Sequence, residues 1–384
     1  MTPFGIMVPG RILFGRGEAA KAPGLIRSFG QRVLVVHGAN GRHADGLKDG
    51  LSQSGAEIRC LPCAGEPTLA MLEQALGDMR AFRPDVVVGL GGGSTLDLAK
   101  TLAALIPAPG GPMDHLEVVG RGLPLFVAPL PFVAIPTTAG TGAEVTKNAV
   151  IGLPDHNRKV SLRDDRMLAR LAIVDPGLTD GCPWPVTLAS GLDAVVQVIE
   201  PYVSCRATPF TDALTLPAIG QGLAALQRLN RGEDAAARDQ LAWVSLCGGL
   251  ALANAGLGAV HGLAGPIGGI SPAAHGAVCG ALISPVLALN RTRARDTGKG
   301  QALARLDKVC GLIADAFGGS AEAAPDSLAR WIRAAGLPGL TEQGLAPADH
   351  AEVARAALDS SSMKGNPVPL LQDDLIAVLA AASA

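Results

Sequence analysis

Asp85-Val-Val-Val-Gly-Leu-Gly-Gly-Gly-Ser-Thr-Leu-Asp-Leu-Ala-Lys100 decides how the chain is read. Three consecutive valines after Pro84 predict a strand buried on both faces, as in a parallel sheet. Gly91, Gly92 and Gly93 let the backbone turn sharply and approach a ligand, because no Cβ stands in the way. Ser94 or Thr95 then caps a helix running through Leu96, Leu98 and Ala99. Strand, glycine turn and helix N-terminus leave unpaired backbone N–H groups, which suit a phosphate. A tight turn that binds nothing could use the same residues. Three glycines in a row carry an entropic cost that favours the phosphate reading. The G-x-G-x-x-G pattern of the ordinary dinucleotide fold is absent.

Outward from this stretch the same texture repeats. Phe4 to Phe14 predicts short strands around a turn at Pro9-Gly10, and Glu18 to Phe29 a helix ended by Gly30. Arg32 to His37 is a second buried strand, followed by a helix near Leu47 to Ser54 and a strand near Glu57 to Leu61. The Thr68 to Phe82 helix then leads into the glycine strand. The β-α-β-α-β order predicts a doubly wound parallel sheet. Pro107 to Pro124 reads as loop. Phe126 to Ile135 is a further strand, and it empties into Pro136-Thr-Thr-Ala-Gly-Thr-Gly-Ala-Glu-Val-Thr146. Leu171 to Asp175 closes the sheet region. After Pro176, Ala, Leu and Gly dominate at helical spacing, with breaks at Pro and Gly. The expectation is an α/β fold class: a doubly wound nucleotide-binding domain over residues 1–180, then an all-α helical-bundle domain over residues 181–384 for metal and substrate.

Length and composition agree, since 384 residues are long for a single core. With 48% hydrophobic and 17% charged residues the chain reads as a compact enzyme. A net charge of -2 offers no footprint for nucleic acid or anionic membrane. Met1 to Arg11 lacks the basic-then-apolar signal pattern, so a cytoplasmic location is expected. Of the seven cysteines, Cys60 and Cys63 form the only C-x-x-C, read as two ordinary thiols. From Gln240 to Asn290 there is no Asp, Glu, Lys or Arg, yet Asn254, Pro266, Ser271 and Pro272 break any span of about 20 apolar residues. Buried helices fit that stretch better than a membrane segment.

Within it, the side chains that titrate near neutral pH are His261 and His275. A lone apolar-region histidine is usually a satisfied core residue. Two of them, each beside glycine, point further. Asp193 adds an anion on the preceding helix pattern, with Gln197 one turn on along the same face. One carboxylate and two imidazoles could form an open divalent-metal site.

These segments together resemble the iron-containing (group III) alcohol dehydrogenases, whose relatives include glycerol dehydrogenases, maleylacetate reductases and dehydroquinate synthases. Gly91-Gly-Gly-Ser94-x-x-Asp97-x-x-Lys100 looks like the family's pyrophosphate loop, and Pro136-Thr137-Thr138 with Gly140-Thr141-Gly142-x-Glu144 like its second nucleotide segment. Lys159 matches a lysine placed near the nicotinamide ribose. Gly191-Leu-Asp193-x-x-x-Gln197-x-Ile-Glu200 and the run from His261 to His275-Gly276 match its metal segments. The resemblance implies NAD or NADP bound through Gly38, Gly91, Gly92, Gly93, Ser94, Asp97, Thr137, Thr138, Thr141, Thr146, Lys159 and Leu178. It implies Fe²⁺ or Zn²⁺ at Asp193, Gln197, His261 and His275, with His261 and His275 catalytic. It also implies a homodimer that moves hydride between nicotinamide and a small alcohol, aldehyde or ketone.

Two departures stand out. Gln197 and Gly265 occupy positions where iron-type members usually carry histidine. An amide is a poorer donor than imidazole, so weaker metal binding is expected. NAD-preferring relatives often place an Asp where this chain has Gly38, and Arg42 follows closely, either as a solvated loop residue or as a partner for a 2′-phosphate. Both NAD(H) and NADP(H) fit. Rival readings are a maleylacetate reductase-like enzyme working without metal, a dehydroquinate synthase-like lyase, and a binding protein on an inactive scaffold. The lyase would need extra basic residues that Gln240 to Asn290 does not offer.

Overall fold

In the computed structural model, which describes residues 3–383, the first part of the chain forms eight strands. They are β1 (Ile12–Phe14), β2 (Arg32–Gly38), β3 (Glu57–Cys63), β4 (Val86–Gly91), β5 (Phe132–Pro136), β6 (Asn148–Leu153), β7 (Arg158–Arg163) and β8 (Leu171–Val174). Six build one parallel sheet in the order β1-β8-β5-β4-β2-β3. Helices α1 (Ala22–Arg27), α2 (Ala44–Gln53), α3 (Leu69–Phe82), α4 (Gly93–Leu105) and the short α5 (Pro112–His115) make the crossovers.

The valine runs explain why β2 and β4 are central. Successive side chains point to opposite faces, so both faces must be apolar when helices cover both. Val33, Val35, Val86 and Val88 pack with Ile26, Leu47 and Leu51 on one side. Leu34, Val36 and Val87 pack with Leu72, Leu76 and Leu102 on the other. Each such side chain contributes about 1.5–3 kcal/mol on full burial. The sheet reverses direction between β2 and β4, because β3 lies outside β2 while β5, β8 and β1 continue beyond β4.

The structure corrects several local expectations. No ladder runs from Phe4 to Phe14; only Ile12–Phe14 is a strand. Pro3 and Pro9 lack an N–H to donate, and Gly5 and Gly10 add backbone freedom there. Helix α4 is capped by Gly92, not by Ser94 or Thr95, which lie within its first turn. The strand expected from Phe126 begins only at Phe132. Pro129 and Pro131 cannot donate to a ladder, and Phe126 is exposed. The antiparallel hairpin of β6 and β7 was not anticipated. Its turn, Pro154 to Asn157, uses Asn157 at φ 49°.

The rest is helical among the described residues. It comprises α6 (Trp184–Val203), α7 (Pro209–Leu229), α8 (Ala235–Ala255), α9 (Ala259–Ile270), α10 (His275–Asp296), α11 (Gly300–Phe317), α12 (Ala324–Ala334), α13 (His350–Leu358) and α14 (Gln372–Ala382). Thr208 and Asp234 start α7 and α8 by accepting from the N–H groups of Thr211 and Ala237. Pro201, Pro217, Pro266 and Pro285 lie inside helices rather than ending them. Among the described residues no single helix is long and apolar enough to cross a membrane.

Two compact units result. One comprises residues 8–138 and 142–180; the other takes 181–383 together with residues 3–7 and 139–141. Hydrogen bonds explain the two added segments. Met7 N donates to Asn254 Oδ1 at 2.7 Å, and Gln197 Nε2 donates to Gly140 O at 3.4 Å.

Candidate metal centre and nucleotide turn

Asp193 and Gln197 lie one turn apart on α6, 1% and 2% exposed. A Cβ at Gly276 would collide with the Ala189 carbonyl oxygen of α6. Glycine therefore lets the start of α10 press against α6 and brings His275 beside Asp193. His275 Nε2 lies 3.9 Å and His261 Nε2 3.2 Å from Asp193 Oδ1. Cys279, one turn beyond His275, places its sulfur 3.8 Å from His261 Nε2 and 3.7 Å from His275 Nε2. The four donor atoms lie within 4.8 Å of one another.

Glu200 sets the orientation of His261. Its Oε2 accepts from His261 Nδ1 at 2.7 Å, while Oε1 accepts from Val260 N at 2.7 Å. Gly258 offers no side-chain cap to α9, and Asn366 Oδ1 takes the Ala259 N–H at 3.1 Å. The orphan N–H groups at this helix start are thus met by side chains from elsewhere in the chain. Nδ1 carries the proton toward Glu200, which turns the Nε2 lone pair of His261 toward Asp193 and Cys279.

Burial opposes a charge on His261, but Cys279, Asp193 and Glu200 outweigh it and hold its pKa well above the usual histidine value. Cys279 is the largest influence on His275, against burial and with help from Asp193, and its pKa stands raised to about 9. Burial would raise the Asp193 pKa, yet the two imidazoles and Gln197 bring it below the ordinary carboxylate value. The cage therefore attracts positive charge.

A divalent ion fits this donor set. Asp193 Oδ1 and Gln197 Oε1 are buried without a hydrogen-bond partner, a costly condition that a cation relieves. Tetrahedral bonds of about 2.0–2.1 Å to nitrogen or oxygen and about 2.3 Å to sulfur place N and O ligands about 3.3 Å apart, and sulfur about 3.6 Å from nitrogen. His261 Nε2 to Asp193 Oδ1 at 3.2 Å and the sulfur–nitrogen separations of 3.7 and 3.8 Å lie near these values, while His275 Nε2 at 3.9 Å from Asp193 Oδ1 would have to move closer.

The nucleotide residues fall into groups. His37 pairs with Leu90 across β2 and β4, so Gly38 and Gly91 end neighbouring strands at the point where the sheet reverses. Ligands of open α/β sheets bind outside such strand ends. Gly92 caps α4, leaving the N–H groups of Gly93 and Ser94 without intrahelical partners. Thr137 N donates to Gly91 O at 3.0 Å, and a Cβ on Gly92 would lie 3.3 Å from Thr138 Oγ1. Leu178 lines a pocket of about 280 Å³ with Ala22, Pro23, His43, Leu47 and Leu90.

Other expected residues point to bracing. Asp97 accepts from Val150 N at 3.0 Å, and buried Lys100 donates to Ala143 O, Thr146 Oγ1 and Asn148 O at 2.7, 3.0 and 2.8 Å. Asp97 and Thr146 thereby tie β6 and its approach to α4. Lys159 pairs with Glu66. Thr141 falls in the helical unit, and Arg42 donates to Asp180 O at 3.2 Å. The sequence alone singled out neither Cys279 nor Asn366, and it gave Glu200 no role beyond its place in the metal segment. The four-residue spacing from His275 to Cys279 was the available signal.

A glycine turn at a sheet reversal and a carboxylate–imidazole cage point to a class, the metal-assisted nucleotide-dependent dehydrogenases. Residues 9–176 match the profile of the "Iron-containing alcohol dehydrogenase" family, and residues 187–383 that of the "Fe-containing alcohol dehydrogenase family, C-terminal". The chain belongs to the iron-containing alcohol dehydrogenase family and is an oxidoreductase acting on CH–OH groups. It is 32% identical to a probable alcohol dehydrogenase, EutG, of Salmonella typhimurium, over 95% of this chain and 90% of that protein. It is 30% identical to the NAD-dependent methanol dehydrogenase of Bacillus methanolicus, over 97% and 98% of the two chains. The crystal structure of a 1,3-propanediol oxidoreductase superposes with TM-score 0.87 at 26% identity, covering 99% of this chain and 100% of that one. These relatives support neither the maleylacetate reductase-like nor the lyase reading.

Proposed function

We propose that the chain oxidises small primary alcohols, and reduces the matching aldehydes, with NAD(P)(H) and a divalent ion held by Asp193, His261 and His275. The reaction is RCH₂OH + NAD(P)⁺ → RCHO + NAD(P)H + H⁺. One observation carries the metal reading: Asp193 Oδ1, buried and without a hydrogen bond, faces two imidazole nitrogens at 3.2 and 3.9 Å. The ion supplies Lewis acidity at the alcohol or carbonyl oxygen, and nicotinamide supplies the hydride-exchanging ring. Glu200 holds the proton on His261 Nδ1 and so keeps Nε2 free as a donor. Asp193 supplies the anion, and its burial keeps water from competing for it.

Gly38, Gly91, Gly92, Gly93, Ser94, Thr137 and Thr138 would cradle the dinucleotide, with the Leu178 pocket suited to a flat heteroaromatic ring. Gly38 has open space where a side chain would stand, which supports tolerance of a 2′-phosphate. Asp97, Thr141, Thr146 and Lys159 would complete the cofactor-binding set. A homodimer is supported by the exposed alternation of Phe4, Ile6 and Val8. A reducing, cytoplasmic setting is supported by seven unpaired cysteines.

The test strips the purified chain of metal, reloads it with Fe²⁺ or Zn²⁺, and follows nicotinamide absorbance with a series of short alcohols. Turnover should vanish on stripping and return on reloading. Full turnover in the stripped enzyme with chelator present would sink the metal reading.

A further inference from the structure

Four donors converge on one point, but only three of them belong to the set proposed above. Gln197 stands where a fourth nitrogen is expected; its amide nitrogen donates to Gly140 O, and only its oxygen, a poorer donor to such ions than imidazole, is left for a metal. The sulfur of Cys279 instead lies 3.7 and 3.8 Å from both imidazole nitrogens. Nδ1 of His261 donates to Glu200, so Nε2 is the ring atom that faces both the sulfur and the Asp193 oxygen. The sulfur and the Asp193 oxygen thus share one buried space with two imidazoles, where positive charge, as protons on the rings or as a bound ion, holds them together.

We propose that Cys279 is the fourth protein ligand of the metal, in place of Gln197, so that the site is Asp193, His261, His275 and a Cys279 thiolate. This rests on the metal-dependent reading. Cys279 sits on α10 one turn from His275, and α10 starts against α6 through Gly276, so one helix delivers two adjacent donors. Binding displaces the thiol proton to solvent and forms an S–metal bond. Two anionic ligands then balance the ion's two positive charges. Thiolate among the ligands biases the site toward a softer ion such as Zn²⁺ over Fe²⁺, and the substrate oxygen would add to the four protein ligands as a fifth.

Full-length protein loaded with Zn²⁺ is measured by X-ray absorption at the zinc edge. One sulfur at about 2.3 Å is expected. A shell of nitrogen and oxygen only overturns the role of Cys279 and leaves metal-dependent chemistry standing; failure to take up zinc overturns both. With Co²⁺, wild type and Gln197→Ala should show sulfur-to-cobalt charge-transfer absorption in the near ultraviolet, and Cys279→Ser should lose it while still binding cobalt. A band that persists in Cys279→Ser, or that disappears in Gln197→Ala, overturns the assignment. The wild-type zinc spectrum decides the matter even if a variant fails to fold.

Discussion

Glu200 touches neither Asp193 nor Cys279, yet it decides which nitrogen of His261 faces them. Replacing Glu200 by Gln keeps the shape but weakens the acceptor that fixes the Nδ1 proton, 2.7 Å away. Partners of this kind are typically worth about 10–100-fold in metal affinity. Competition with a chelating dye should show that loss in Glu200→Gln; equal affinity would mean His261 is oriented by packing alone. A second residue-scale outcome concerns Gly38, which ends β2 next to the glycine turn. Gly38→Asp should shift the NADP(H)-to-NAD(H) affinity ratio by about tenfold toward NAD(H), about 1.4 kcal/mol, through like-charge repulsion. Titrations in which both cofactors weaken equally would move the discriminating site elsewhere.

At the scale of elements, the proposed nucleotide cradle rests on the start of α4. Its cap is a glycine, so the first-turn N–H groups are open to a phosphate. Gly92→Val places carbon beside Thr138 and in the path of a ligand. Cofactor affinity should fall at least about tenfold, while calorimetry finds the fold intact. Undiminished affinity would remove phosphate from this turn. A buried acid, Glu144, lies in the turn whose Ala143 carbonyl accepts from Lys100 of the same helix. Burial pushes its pKa from 4.5 to about 7, with Lys100 pulling the other way. Between those values the folded chain keeps a proton that the unfolded chain has released. Stability therefore falls as pH rises across that window, by at most about 1.4 kcal/mol per pH unit. Glu144→Gln should lack this decline, so its melting temperature relative to wild type should climb through the same range and level off above it. Parallel pH profiles for the two proteins would contradict the assignment.

For the whole molecule, the metal cage joins three helices, α6, α9 and α10, whose ligands span residues 193 to 279. An ion that binds only the folded cage stabilises it by about 2.7 kcal/mol at a hundred times its dissociation constant. Stripping metal should lower the melting temperature, with zinc restoring it in a concentration-dependent way. A melting curve indifferent to both treatments would show that the ligands are held without an ion.

The residues from Asp85 to Lys100 were legible as strand, turn and helix because each of those states is set by neighbours in the chain: branched side chains, glycine freedom and apolar spacing. The helical second half was legible for the same reason, and His261 and His275 stood out as candidates because a charge-free stretch makes its few polar residues conspicuous. Several features had no such local signature. The cap at Gly92 rather than Ser94 depended on where the turn ended, and the β6–β7 hairpin on pairing between two segments that each looked irregular. Glu200 and His261 are 61 residues apart, and nothing in either stretch names the other. Cys279 reads in sequence like Cys247 or Cys310, one more small core residue. Its meaning comes from the face of α10 that carries it, which the close approach at Gly276 turns toward α6. Distances between residues far apart in the chain follow from how helices pack, and packing is fixed by the whole set of side chains at once.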